Sequence, residues 1–121
     1  MNNVNGVACD QYSNLVYFFN SMSGNQNDQV LYRANMEEDD DPFDEQRRIY
    51  RPSNPTYMEE IVYYVQNSTD LYGYVQDGGR NIVIARNYTN VQSMYAYQGM
   101  LFVVDQDATY VVRLDDGHYY E

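Results

Sequence analysis

Apolar positions of this chain cluster in short segments that end on polar turn residues. Three of these segments share one layout, LVYFFN (15–20), IVYYVQ (61–66) and MLFVVD (100–105). Each carries an aromatic residue at its third position and a polar residue at its sixth, and no window sustains the 3.6-residue period of a helix. Aromatic and β-branched residues favour strands. The pattern therefore predicts an all-β protein.

A polar turn and a second apolar segment follow each of these strands. The second segments are QVLYRAN (29–35), DLYGYVQ (70–76) and ATYVVRL (108–114). Two of them lead into DGG (77–79) or DDG (115–117), which favour tight hairpin turns. The unit recurs after roughly 40 residues, so we predict a repeat that is built from strands.

The repeats are predicted at 4–54, 55–90 and 91–121 of a single all-β domain. The predicted strands are 4–9, 15–19, 30–35, 47–51, 56–58, 60–66, 71–76, 81–86, 91–97, 100–104 and 109–114, with HYYE (118–121) left for a further strand. SMSGNQND (21–28) is predicted to be a long hairpin loop. Strand alternation places Tyr63 and Val65 on one sheet face and Tyr64 on the other. Because both faces are apolar, we expect neighbours to cover this sheet on both sides.

Four-stranded units of about 40 residues with a Tyr-rich second strand are typical of β-propeller blades. VNGVACD (4–10) and VYFFN (16–20) follow the layout of one such family, and VYYVQ (62–66) and LFVVD (101–105) repeat its second half. The chain loosely resembles the YWTD propellers of low-density lipoprotein receptors and related Tyr-rich bacterial propellers. This resemblance implies non-catalytic protein binding and assigns no functional residue.

Three blade-like repeats are too few for a closed ring, since propellers typically have about four to eight blades. An open arc would leave sheet edges that can pair with another chain. We therefore expect an open arc that self-association completes, either as a six-bladed ring or as a fibre, unless the chain is a fragment of a longer protein. A small β-sandwich or barrel is the alternative fold.

Charge narrows the choice of partner. The chain has 18 acidic and seven basic residues, all seven of them Arg, and a net charge of −11. Such a chain should be repelled by nucleic acid and by anionic membranes, whereas a basic protein surface would attract it. No apolar run approaches the roughly 20 residues of a membrane span, and MNNVNG (1–6) does not resemble a signal peptide. An extracellular or virion-associated location is the expectation.

The acids are concentrated in one segment, here called the acidic segment. It consists of Glu37, Glu38, Asp39, Asp40, Asp41, Asp44 and Glu45. This segment, or Asp105 with Asp107, offers oxygen ligands of the kind that calcium prefers, but the EF-hand spacing is missing. A solvated acidic loop is the simpler interpretation, so we expect no bound cofactor or ordered metal.

Catalytic groupings are scarce. The single His, His118, lies far along the chain from the single Cys, Cys9, and neither a Walker loop nor a zinc spacing occurs. Cys9 follows apolar Val7 and Ala8, which predicts a buried thiol. We expect a non-enzyme. A glycan-acting propeller with paired carboxylates is a third and weaker interpretation, because no particular pair stands out.

Tyrosine is abundant, with 15 residues in the chain. Because Tyr is enriched at interfaces, eight of these residues are candidates for an interface. They are Tyr17, Tyr32, Tyr63, Tyr64, Tyr72, Tyr95, Tyr97 and Tyr110. Two sequons make Asn67 and Asn87 candidates for glycosylation outside the cytosol.

The leading functional hypothesis is a non-enzymatic β-repeat protein that acts by self-assembly, by binding protein through Tyr-rich sheet surfaces, or by both. The alternative is a small acidic viral inhibitor that imitates nucleic acid and binds a basic host protein.

Overall fold

The computed structural model describes residues 4–10, 14–22, 25–35 and 44–114. Throughout these ranges the regular structure is β-strand without helix, arranged as three antiparallel sheets. The first sheet has the order β1-β2-β3-β4, with bounds Val4–Asp10, Leu15–Met22, Asn25–Asn35 and Asp44–Tyr50. The predicted all-β fold is confirmed.

The other two sheets repeat this plan of consecutive antiparallel strands. The middle sheet consists of β5 (Pro52–Met58), β6 (Ile61–Gln66), β7 (Asp70–Val75) and β8 (Arg80–Ala85). The third sheet consists of β9 (Val91–Tyr97), β10 (Met100–Asp105) and β11 (Thr109–Arg113). HYYE (118–121) lies outside the described residues. Within the described ranges the sheets are separate and form no closed barrel.

Two-residue turns join the first and second strands of the middle and third sheets. Met58 pairs with Ile61 across Glu59 and Glu60, whose φ angles are 49° and 68°. The equivalent turn of the third sheet, Gln98–Gly99, has φ angles of 49° and 77°. Two successive positive φ angles define the tight turn that matches the twist of a hairpin.

Two apolar clusters hold the three sheets together. Tyr17, Phe19 and Leu31 of the first sheet pack against Val62 and Tyr64 of the middle sheet. The opposite face of the middle sheet packs through Tyr63, Val65 and Leu71 against the third sheet, which contributes Leu101 and Val103. The prediction that the middle sheet is covered on both faces is therefore confirmed.

Hydrogen bonds from tyrosine hydroxyls connect the first sheet to the middle sheet. The hydroxyl of Tyr17 donates to Gln76 Oε1, and that of Tyr74 donates to Gln46 Oε1 at 3.2 Å. A buried Tyr hydroxyl must find a partner, because an unsatisfied polar group in a core costs about 1–3 kcal/mol. Tyrosine therefore serves in this core as an apolar filler with a polar attachment point.

The first strands of the three sheets lie side by side, β1 against β5 and β5 against β9. A side chain at Gly6, whose φ is 84°, would meet Pro55 Cδ at 2.5 Å, so only glycine permits this approach. On the other side of β5, the Thr56 hydroxyl oxygen accepts a hydrogen bond of 3.1 Å from the backbone N–H of Ala96. In all three sheets the pairing of the first strand with the second contains a register shift.

Four strand predictions are wrong in their bounds. β3 begins at Asn25 rather than at residue 30, and β2 extends to Met22, so most of the predicted loop 21–28 is strand. β4 begins at Asp44 rather than at 47, and β5 begins at Pro52 rather than at 56, ahead of the predicted repeat boundary. In these places polar residues or proline suggested a loop. An edge strand tolerates proline, because the missing backbone N–H can face the outer side of the strand, where no neighbouring strand needs a donor.

Candidate interaction surface

The third sheet has one buried and one uncovered face. Leu101 and Val103 point toward the middle sheet and are fully buried. Alternation sends the intervening side chains to the other side, where Phe102 pairs with Tyr95 on β9 and with Val111 on β11. This uncovered side, called the end face, has its apolar part at Tyr95, Tyr97, Phe102, Val104 and Val111, and the same pairing places Ser93, Thr109 and Arg113 on that side.

The end face is unusually apolar for an exposed surface. Tyr95 is 63% exposed, Tyr97 53%, Val111 51% and Val104 39%. Single exposed apolar side chains are ordinary, but a group that spans three adjacent strands forms a continuous patch. Continuous apolar patches of this kind mark sites of protein interaction.

The equivalent faces of the other two sheets are covered. Tyr17 and Phe19 in β2 correspond to Tyr63 and Val65 in β6, and all four side chains are buried under the next sheet. Phe102 and Val104 occupy the same positions in β10. The end face is therefore the surface on which the next sheet would pack if the series continued.

The first sheet presents the opposite end of the series. Its outer side, called the start face, comprises Val7, Cys9, Val16, Phe18 and Tyr32. Val7 is 55% exposed, and the rings of Phe18 and Tyr32 stack with their centroids 5.6 Å apart. Phe18, Asn20 and Val30 on the same side are buried, so this face is open only toward Val7 and Cys9.

The prediction of a buried Cys9 thiol is wrong, because this side chain is exposed. Ala8 takes the inward position on β1 and is 5% exposed. Cys9 pairs with Val16 and shares the start face with it. The apolar neighbours Val7 and Ala8 suggested burial, but alternation sends adjacent strand residues to opposite faces.

A groove of about 820 Å³ runs along the three first strands where they converge. Its lining includes Asp10, Tyr57, Glu59, Glu60 and Tyr95. The hydroxyl of Tyr57 accepts from the Glu60 N–H at 3.0 Å and donates to Asp10 Oδ2 at 2.9 Å. The groove is therefore acidic and aromatic, which suits a cationic group.

The Tyr57 hydroxyl cannot act as a general base in this groove. Burial, followed by the hydrogen bond to Asp10 and the charge of that carboxylate, raises the pKa of the Tyr57 hydroxyl far above its ordinary value. The hydroxyl therefore stays protonated at any physiological pH. Its role in the groove is to hold Asp10 and the Glu59–Glu60 turn in place.

The carboxylates of the calcium candidates Asp105 and Asp107 accept hydrogen bonds from a loop of the same chain. Asp105 accepts the backbone N–H groups of Thr89 at 2.9 Å and Asn90 at 2.7 Å, while Asp107 accepts the Thr89 hydroxyl at 2.8 Å. Burial raises the pKa of the Asp105 carboxyl, but the N–H donors of Thr89, Asn90 and Gln106 outweigh it and lower that pKa. No group of three or more His, Cys, Asp or Glu among the described residues is placed to hold a metal.

The acidic segment falls mostly outside the described residues, since Glu37, Glu38, Asp39, Asp40 and Asp41 lie in the undescribed range 36–43. Asp44 and Glu45 open β4, and Glu45 is exposed. These two acids therefore belong to a strand rather than to a loop. His118 also lies outside the described residues.

The two sequons lie side by side at one end of the sheets. Asn67 and Asn87 are both exposed. Their segments are joined by the Tyr88 N–H, which donates to the Thr69 carbonyl oxygen at 2.9 Å. Both sequon hydroxyls donate to a carboxylate, Thr69 to Asp70 at 3.3 Å and Thr89 to Asp107 at 2.8 Å.

The eight tyrosine candidates separate into distinct groups. Tyr17, Tyr63 and Tyr64 are buried between sheets, and Tyr72 stacks on Tyr64 with ring centroids 5.9 Å apart. Tyr32 lies on the start face.

Three candidates remain near the other end of the chain. Tyr110 packs edge-on against Tyr88, with ring centroids 5.4 Å apart. Tyr95 and Tyr97 lie on the end face. Phe102, Val104 and Val111 complete that face and were not among the sequence candidates, although strand alternation around Phe102 could have grouped them.

Among the residues placed by the structure there is no helix long and apolar enough to span a bilayer. No protein-family model matches this chain, and no curated protein is similar to it in sequence.

Proposed function

We propose that this chain is a non-enzymatic β-repeat protein that acts by binding protein, including further copies of itself, through the end face. The observation that carries this proposal is the exposure of an apolar face whose equivalents in the other two sheets are buried. Fully burying a side chain such as Val111 contributes roughly 1.5–3 kcal/mol. Several such side chains on three adjacent strands favour association.

The same proposal takes each sheet as a blade of a propeller-like arc. Two observations support it: strands follow one another within each sheet in chain order, and the first strands β1, β5 and β9 are neighbours. An extracellular or virion-associated location remains part of the proposal, resting on the composition of the chain.

Size-exclusion chromatography with light scattering tests the proposal on the wild-type chain and on Val111→Asp. The wild-type mass should exceed that of a monomer and rise with protein concentration, whereas Val111→Asp should remain monomeric because a buried charge is costly. Asn87→Asp adds the same charge at an exposed loop position away from the end face, so it should behave like wild type.

Salt provides a second readout of the same contact. Copies that each carry a net charge of −11 repel one another, and salt screens this repulsion. Association through an apolar face should therefore strengthen as ionic strength rises. A wild-type chain that stays monomeric over a wide range of concentration and salt would contradict self-association.

The groove supports a second candidate function, the binding of a basic partner by a small acidic inhibitor. Among the described residues, its lining holds the acids Asp10, Glu59 and Glu60 and no Arg. Polylysine is a suitable probe, because its charged side chains supply the complementary chemistry. Glu59→Gln with Glu60→Gln should weaken binding measured by titration calorimetry.

The acidic segment needs its own variant in that experiment. Neutralising Asp39, Asp40, Asp41 and Asp44 with Asn removes four charges of the acidic segment. If this variant weakens binding and the groove variant does not, the segment is the binding element. Unchanged binding in both variants would contradict the inhibitor function.

A further inference from the structure

We infer that the groove along the three first strands binds one lysine side chain of a basic partner protein. The apolar stem of this lysine lies on the groove floor, and its ammonium group lies at the Glu59–Glu60 turn. This inference rests on the basic partner proposed above as the second candidate function, and it names the chemical group that the groove recognises.

Small side chains form the floor of the groove where the first strands converge. Ala8 of β1, Thr56 of β5 and Ala96 of β9 belong to its lining, and all three are buried. The Thr56 hydroxyl oxygen already accepts a hydrogen bond of 3.1 Å from the Ala96 N–H. This hydroxyl is therefore engaged, and the three small side chains leave room for an incoming apolar group.

The groove is apolar at one end and acidic at the other. Strands β1 and β5 run in the same direction, because Gly6 lies against Pro55 while Asp10, further along β1, bonds to Tyr57. Along the groove the lining therefore changes from Pro55 to the acids Asp10 and Glu59–Glu60. A group that is apolar along its length and cationic at its tip complements this gradient.

A lysine side chain has this polarity, since a long apolar stem carries a compact cationic head. Glu59 and Glu60 are exposed, so the ammonium group can contact their carboxylates while it stays partly hydrated, which avoids the cost of burying a charge. The chain itself contains no lysine, and a second copy therefore cannot supply this side chain. The occupant is a different protein with a basic surface.

Tyr95 forms the wall of the groove on the β9 side. It directly precedes Ala96, which bonds to Thr56, so Tyr95 lies beside the floor rather than at the acidic end. Its side chain is 63% exposed, and its ring is available to cover the lysine stem. Among the described lining residues Tyr95 is present and Tyr97, its neighbour on the end face, is not.

The acidic segment is connected to the acidic end of the groove. Asn35, after which the chain enters this segment, pairs with Leu15, and Asp10 pairs with the same residue. A concentration of negative charge at this end steers a basic protein toward the groove. The two parts therefore have separable roles, because the segment raises the association rate and the groove recognises the stem.

Two peptides of equal charge test the recognition of the stem. They are oligolysine and oligo-ornithine, whose side chains are one methylene shorter. If the groove buries one stem, oligo-ornithine should bind the wild-type chain about fourfold more weakly, which is the effect of one buried methylene. Titration calorimetry at low ionic strength measures both affinities, and oligo-acetyl-lysine, which lacks the charge, should not bind.

A matched pair of variants tests the wall of the groove. Tyr95→Ser should reduce the difference between the two peptides, because the stem loses an apolar contact. Tyr97→Ser removes the same side chain from the end face outside the groove lining, so it should keep the full difference. Neutralising Asp39, Asp40 and Asp41 with Asn should slow the association of both peptides and leave their difference unchanged.

Zero-length crosslinking locates the ammonium group. A carbodiimide joins a carboxylate to an amine that touches it, and the chain has no lysine side chain of its own. With oligolysine whose N-terminus is acetylated, peptide mass spectrometry should place the new amide bond at Glu59 or Glu60. Glu59→Gln with Glu60→Gln should lose this product.

The alternative results separate this inference from the function on which it rests. Equal affinity of the wild-type chain for the two peptides, or crosslinks confined to the acidic segment, would overturn the inference and leave a basic partner in place. Equal effects of Tyr95→Ser and Tyr97→Ser would overturn it as well. Failure of oligolysine to bind the wild-type chain at low ionic strength would instead overturn the second candidate function itself.

Discussion

The Tyr57 hydroxyl donates a hydrogen bond of 2.9 Å to Asp10 Oδ2, joining the middle sheet to a carboxylate that is only 5% exposed. The ring of Tyr57 also stacks on Tyr17 of the first sheet, with centroids 5.7 Å apart. One side chain therefore provides both apolar and polar contact at this junction.

Tyr57→Phe should lower the free energy of unfolding by about 1.5–3 kcal/mol, because hydrogen bonds to charged groups contribute about that much. Urea unfolding followed by circular dichroism measures this change. Tyr97→Phe removes an equivalent hydroxyl from an exposed ring and should change stability by less than about 0.5 kcal/mol. Equal effects in the two variants would show that the contact with Asp10 adds nothing to stability.

High pH should unfold this protein because burial raises the pKa of several tyrosine hydroxyls. The affected residues are Tyr17, Tyr57, Tyr64 and Tyr88. Their contribution to stability is complete below the ordinary tyrosine pKa of about 10. Above that pH the unfolded chain releases protons that the folded chain retains, so the free energy of unfolding falls as pH rises.

Alkaline titration followed by tyrosinate absorbance and circular dichroism measures this effect. Ionisation of the buried hydroxyls should coincide with loss of the sheet signal, and Tyr64→Phe should make the fall in stability less steep. Complete ionisation of all tyrosines with the sheet signal intact would contradict the prediction.

Low pH should weaken the loop that Asp105 holds. The backbone donors keep the folded-state pKa of this carboxyl below its ordinary value, so its stabilising effect is complete above about pH 4. The effect is lost as pH falls through the lowered folded-state pKa, because protonation removes the acceptor charge. The protection of the Thr89 and Asn90 amides, measured relative to their intrinsic exchange rates at each pH, should therefore fall in acid.

Asp105→Asn should accelerate the same exchange already at neutral pH. Asp107→Asn is the matched control for the loss of one carboxylate, and it leaves both backbone donors with their acceptor. The prediction fails if the two variants protect Thr89 and Asn90 equally well.

The Glu59–Glu60 turn should accept a stabilising substitution. Glu60 has a φ of 68°, and the equivalent residue of the third sheet is Gly99 with a φ of 77°. Left-handed backbone is costly for residues with a Cβ, so Glu60→Gly should raise the free energy of unfolding by about 0.5–1 kcal/mol. Gly99→Ala should lower it by a similar amount, and thermal unfolding compares the two. A destabilising Glu60→Gly would mean that the Glu60 side chain makes a contact worth more than the strain.

The alternation of apolar and polar residues and the turn-forming residues predicted most of the strands, because both depend only on the local backbone conformation. β9 has the predicted bounds 91–97, whereas β3 and β5 extend into polar and proline-containing segments that pairing with a neighbouring strand stabilises. The end face could not be predicted as exposed, because Val103 and Val104 are the same residue type on opposite faces. Which of them is buried depends on which side of the third sheet has a neighbour.

The middle sheet lies between two others, and the third sheet is covered on one side by the described residues. In hydrogen–deuterium exchange, the amides of β6 and β7 should therefore open last and those of β11 among the first. Adding a second copy to the end face would turn the terminal sheet into an internal one. The cooperativity of unfolding would then grow with the length of the assembly rather than with the length of the chain.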